Sequence, residues 1–90
     1  MAMTARHIIV HGRVQGVFFR DWTVETARSL GVAGWVRNLP DGTVEAHVEG
    51  KAPAVRRMVA ALHVGPPRAL VDRIEQSAAQ TEGVRGFGRR

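Results

Sequence analysis

The 90-residue chain contains no cysteine, so neither disulfide staples nor thiolate chemistry can contribute to its fold or function. No apolar run approaches the ~20 residues of a membrane span, and Met1-Ala2-Met3-Thr4 lacks the apolar core of a signal peptide. A soluble, cytoplasmic protein without a membrane partner is expected. Aromatic residues are few. Phe18, Phe19, Trp22 and Trp35 are better suited to a core than to stacking on bases, and none sits within a basic cluster. Acidic residues number eight against thirteen basic ones, a net charge of +5. That surplus draws in anionic partners and speeds their encounter. The basic residues are spread from Arg6 to Arg90, all but Lys51 being arginine, so no nucleic-acid partner is implied.

The length suits one domain, residues 1–90, with a single two-layer core; a monomer is expected, although nothing in the sequence fixes the oligomeric state. Residues 5–11 read as a first strand closed by Gly12. Thr23, Ala27 and Leu30 mark one face of a helix over 23–30, and Gly31 stands where a helix C-terminus favours glycine. A second strand spans 33–38. Leu39-Pro40-Asp41-Gly42 then makes a turn, with proline presetting one angle and glycine supplying a positive φ. In the third strand, 43–50, Val44, Ala46 and Val48 alternate with Glu45, His47 and Glu49, which predicts a buried face and a solvent face.

Pro53 opens a second helix whose Val55, Met58, Val59 and Leu62 keep helical spacing, and Gly65-Pro66-Pro67 stops it. A fourth strand covers 69–74, with an alternation break between Val71 and Ile74 that suggests a bulge. Beyond Gln76 the pattern fades, leaving Phe87 as an anchor. The order βαββαβ predicts an α+β ferredoxin-like sandwich, an antiparallel sheet with both helices on one face.

Chemistry concentrates at Gly12-Arg13-Val14-Gln15-Gly16-Val17-Phe18-Phe19-Arg20, between the first strand and the first helix. A glycine-bearing turn at a helix start presents unpaired backbone N–H groups to an anion. Gly12 and Gly16 would let a ligand approach the main chain, and Arg20 adds a charged fork that matches phosphate oxygens. A tight loop with a surface arginine is the plainer reading of the same residues. Asn38, at the end of the second strand, offers the donor and acceptor needed to orient a water, though asparagine is also common at such turns. Neither Ser29 nor Ser77 sits in a nucleophile turn. His7 and His11 lie about 13 Å apart along a strand, too far to share an ion, so surface histidines and no metal are expected. Glu45 and Glu49 read as a solvated strand face.

Across residues 7–87 the chain resembles the acylphosphatases, most specifically in the loop above and in Gly34-Trp35-Val36-Arg37-Asn38-Leu39-Pro40-Asp41-Gly42-Thr43-Val44. The resemblance implies hydrolysis of a small-molecule acyl phosphate to a carboxylate and inorganic phosphate, with no cofactor. It assigns the phosphate to Arg20 and to the loop amides of Gln15, Gly16, Val17, Phe18, Phe19 and Arg20, and the attacking water to Asn38. Members of the family close with an apolar strand-like tail, whereas here Phe87 is followed by Gly88-Arg89-Arg90. Asp21 also brings a negative charge beside the loop. Three rival readings are a relative specialised for carbamoyl phosphate, which the lack of a further domain disfavours, a non-catalytic anion- or nucleic-acid-binding module, and a folded relative that has lost activity, against which both candidate functional residues are in place.

Overall fold

The computed structural model describes residues 2–90. The elements run β1 (Met3–Arg13), α1 (Phe19–Leu30), β2 (Ala33–Asn38), β3 (Val44–Lys51), α2 (Ala52–Val64), β4 (Leu70–Ala79) and β5 (Phe87–Arg89). The expected βαββαβ order is present. β4, β1, β3 and β2 form the antiparallel sheet of a ferredoxin-like α+β sandwich, and β5 adds a short parallel edge on β2. Ile8, Val10, Val36, Val44, Ala46 and Val48 meet Phe19 and Ala27 of α1 and Val55, Met58 and Leu62 of α2 in one buried cluster. Strand residues two apart share a face, so this cluster fixes the register of the sheet.

The boundaries differ from the sequence expectation in physically simple ways. α1 begins at Phe19, four residues before Thr23. Phe19 is fully buried, and the Thr23 hydroxyl donates back to its carbonyl at 2.8 Å. The expected bulge in β4 is real: His11 faces Arg73 while Gly12 faces Val71, leaving Asp72 unmatched. Gly12 therefore serves packing and not a ligand, because a Cβ there would lie 2.0 Å from the Leu70 carbonyl oxygen. β4 also continues to Ala79, so the fading pattern after Gln76 is an exposed edge strand whose residues gain nothing from being apolar.

A larger correction concerns the polar face of β3. His47 and Glu49 are each only 3% exposed, not solvated. The chain leaves β4 at one edge of the sheet and must reach β5 at the other, so it crosses the face that carries no helix. There it forms a strap. Glu49 accepts hydrogen bonds from the N–H groups of Glu82 (2.8 Å) and Gly83 (3.2 Å) and pairs with the His47 ring at 2.6 Å. The Trp35 ring stacks on His47, and its Nε1 donates to Glu82 Oε1 at 3.0 Å. Trp35 is thus buried as expected, but beneath the strap and not beneath the helices. Beside them Glu45 pairs with His7 at 2.7 Å and with Arg37, so Glu45 is also partly covered.

Burial pushes the Glu49 carboxyl upward, yet the two strap N–H groups and His47 outweigh it and hold its pKa below the ordinary value of about 4.5. A depressed carboxylate contributes stability that is present above the unfolded-state pKa and lost as pH falls through the folded one. Acid should therefore loosen the strap. Glu49→Gln is expected to cost roughly 1–3 kcal/mol at neutral pH and to flatten the loss of stability between neutral and acid conditions. Denaturant titrations at the two pH values check this. Unchanged stability in both would mean that this carboxylate does not hold the strap.

Candidate active site

β1 delivers the chain into the loop at residues 14–18, and α1 carries it away. Gly16 adopts φ 73° at the turn of the loop, and Phe18 adopts φ 62°, the only positive φ of a non-glycine among the described residues. For a bulky side chain that conformation costs about 1–3 kcal/mol and persists only where the surroundings impose it. Phe18 is 69% exposed, so it is not the core residue its aromaticity suggested. Its backbone is what matters, because it turns the loop into the first turn of α1, where no side chain caps the helix.

The N–H groups of Gln15 through Arg20 donate to no acceptor among the described residues. Val14, Gly16, Phe18, Phe19 and Arg20 line a cleft of about 270 Å³ together with Asn38, Asp21 and Arg89. Of the predicted loop, Gly16, Phe18, Phe19 and Arg20 line the cleft while Gln15 and Val17 do not; unpaired donors at a helix N-terminus beside a small polar cleft form an anion site. Arg20 is partly buried, and its guanidinium has no ion-pair partner among the described residues. A cation left free beside free N–H groups keeps its full charge for an incoming anion.

The Gln15 side chain has a different task. Its Nε2 donates to the carbonyls of Leu39 and Thr43, each at 2.8 Å. These carbonyls belong to the turn between β2 and β3, closed by Leu39 N–H to Thr43 O at 2.9 Å and Gly42 N–H to Leu39 O at 3.1 Å. Asp41 sits where the turn requires it, accepting from the Thr43 N–H at 3.0 Å and hydroxyl at 2.6 Å, which lowers its pKa. Gln15 thus clamps the loop to the turn that follows Asn38, holding two walls of the cleft in register. A glutamine inside a glycine loop carries no local signal of this role.

Asn38 ends β2 opposite Val44. Its Oδ1 is the one buried side-chain oxygen or nitrogen without a partner among the described residues. An orphaned buried acceptor costs free energy unless something donates to it. Because Asn38 lines the cleft, a water or ligand O–H or N–H can fill that place.

One contributor was not foreseen. β5 runs parallel to β2, Phe87 beside Gly34 and Arg89 beside Val36. Alternation puts Arg89 on the same face as Phe87, which is buried under α1 in the core cluster. From there Arg89 Nη1 reaches Asp21 Oδ1 at 2.7 Å. The tail after Phe87 therefore forms a strand despite its arginines, secured by Arg28 Nη2 to Phe87 O at 3.1 Å and Arg90 N–H to Val36 O at 2.8 Å. The Arg90 guanidinium lies 4.4 Å from the Trp35 ring centre on the other face.

Known proteins match this arrangement closely. An acylphosphatase family model matches residues 6–88. An acylphosphatase of Acidiphilium cryptum is 52% identical over 98% of this chain and 97% of its own length. The crystal structure of acylphosphatase from Bacillus subtilis superposes with a TM-score of 0.93 at 38% identity, covering 97% of this chain and 98% of the other. That of an acylphosphatase from Coxiella burnetii gives 0.94 at 35% identity, covering 98% and 93%. Two helices on a sheet in the order β4-β1-β3-β2, a glycine loop of unpaired amides and this degree of likeness agree: the chain belongs to the acylphosphatase family.

Proposed function

We propose that the family's hydrolysis of acyl phosphates proceeds here by direct attack of a water on phosphorus. Arg20 and the loop N–H groups from Gln15 to Arg20 hold the phosphoryl oxygens, and Asn38 orients the water. The observation that carries this reading is the juxtaposition in one cleft of Arg20, residues with unpaired N–H groups and Asn38, whose Oδ1 has no partner among the described residues. Donors fixed by the fold stabilise charge on the equatorial phosphoryl oxygens without reorganising, which is where a transferring phosphoryl group most needs them. The Oδ1 acceptor can take one hydrogen of a water and aim its lone pair, a gain of orientation and not of basicity.

The carboxylate leaving group has a low pKa and departs without a general acid. No metal is needed either, since Arg20 and the amides already answer the phosphoryl charge. We assign the activity to a monomer in the cytoplasm, acting on small acyl phosphates that fit the cleft.

Hydrolysis of benzoyl phosphate in heavy-oxygen water tests the direction of attack. The label is expected in the released phosphate, with none in benzoate beyond the uncatalysed background. Label in benzoate would place attack at the acyl carbon and remove Asn38 from the proposed role.

A further inference from the structure

We propose that Arg89 is a positioning residue that sets phosphate affinity through Asp21: the ion pair masks a carboxylate that would otherwise repel the substrate from the cleft wall. The inference rests on the phosphate-binding reading above and adds a determinant of its strength. Asp21 is the second residue after Phe19 in the first turn of α1, next in sequence to Arg20, and both Asp21 and Arg89 line the cleft. At a helix start a carboxylate is favourable for the helix. Toward a dianionic phosphoryl group in the cleft that Asp21 lines it is unfavourable, and no other cation pairs with Asp21 among the described residues.

The fold resolves this conflict with its last strand. The parallel pairing of Val36 with Arg89 fixes the arginine backbone at the cleft, and buried Phe87 anchors the strand two residues earlier. Asp21 and Arg89 remain about half exposed, at 57% and 50% of their side chains, so the pair itself stabilises the fold little. Its effect falls on the ligand. With both charges present the wall is neutral; without Arg89 it carries a net negative charge.

Inorganic phosphate binding by calorimetry, together with KM and kcat for benzoyl phosphate, tests this in Arg89→Ala, Asp21→Asn and the double variant. Arg89→Ala is expected to weaken phosphate binding roughly three- to tenfold and raise KM similarly, leaving kcat within about twofold. Asp21→Asn should bind at least as tightly as the unaltered chain, and the double variant should return to its affinity. Arg89→Lys keeps the charge and should restore most of the affinity. One molar salt should shrink the Arg89→Ala defect.

A double variant that stays as weak as Arg89→Ala would mean that Arg89 contacts the ligand directly, and the masking role falls. Unchanged affinity in Arg89→Ala overturns it too. Arg20→Ala separates the layers: if that variant binds phosphate normally, the cradle is misplaced and the mask goes with it. If Arg20→Ala loses binding while Arg89→Ala does not, only the mask is wrong.

Discussion

Arg20→Ala is expected to lower kcat/KM for an acyl phosphate by several hundredfold, up to about a thousandfold, and to weaken inhibition by inorganic phosphate. The magnitude follows from the loss of a preorganised cationic donor at a transferring phosphoryl group, where a single such contact is worth about 3–4 kcal/mol. The environment argues for the upper part of that range. Arg20 lies partly buried in the cleft and has no carboxylate partner among the described residues, so its charge is not already spent. Lysine at this position should recover only part of the loss, because a point charge cannot bridge two oxygens as the planar fork does. Steady-state kinetics and phosphate inhibition, read alongside thermal unfolding, check this. Near-normal turnover in a folded Arg20→Ala variant would show that the cleft is not the reacting site.

Asn38→Ala should separate catalysis from binding. The expected result is a fall in kcat of roughly a hundredfold or more, with phosphate affinity within about twofold of the unaltered chain. A residue that holds only the water contributes to the transition state and little to the bound anion. Stability should change little, because the Oδ1 of Asn38 has no partner among the described residues to lose. Lower activity at unchanged stability in the same variant is the signature of a group placed for function. Phosphate affinity falling in step with kcat would instead assign Asn38 to substrate binding.

Much of this architecture is legible in the order of residues. β3 and α2 carry clean periodicities, and the bulge near Asp72 shows as a break in alternation. The cleft residues Gly16, Arg20 and Asn38 were identifiable because a glycine turn, a helix start and a strand end each leave a local trace. The contacts that sequence could not show are those made across long separations. Glu49 and His47 look solvated from β3 alone, and only the strap from Glu82 and Gly83, more than thirty residues away, buries them. The clamp from Gln15 to the Leu39–Thr43 turn spans 24 and 28 residues.

β5 is hidden for another reason. Only Phe87 is buried there, and Gly88 and Arg89 carry no strand pattern. The pairing comes from the edge of β2, not from the tail's own propensity. Phe18 misleads in the opposite sense: an aromatic residue in an apolar stretch suggests core, but the turn into α1 needs its backbone in the left-handed region and leaves the ring outside.

The most direct test of the whole account is release of inorganic phosphate from benzoyl phosphate by the unaltered chain, with chelator present and an ordinary phosphate monoester in parallel. Rapid hydrolysis of the anhydride that chelator leaves untouched, with no turnover of the monoester, is the expected result. It would show that fixed donors and a positioned water suffice when the leaving group is a carboxylate. Loss of activity in chelator, or equal turnover of the monoester, would contradict the account, since either requires chemistry that Arg20, Asn38 and the loop amides do not supply.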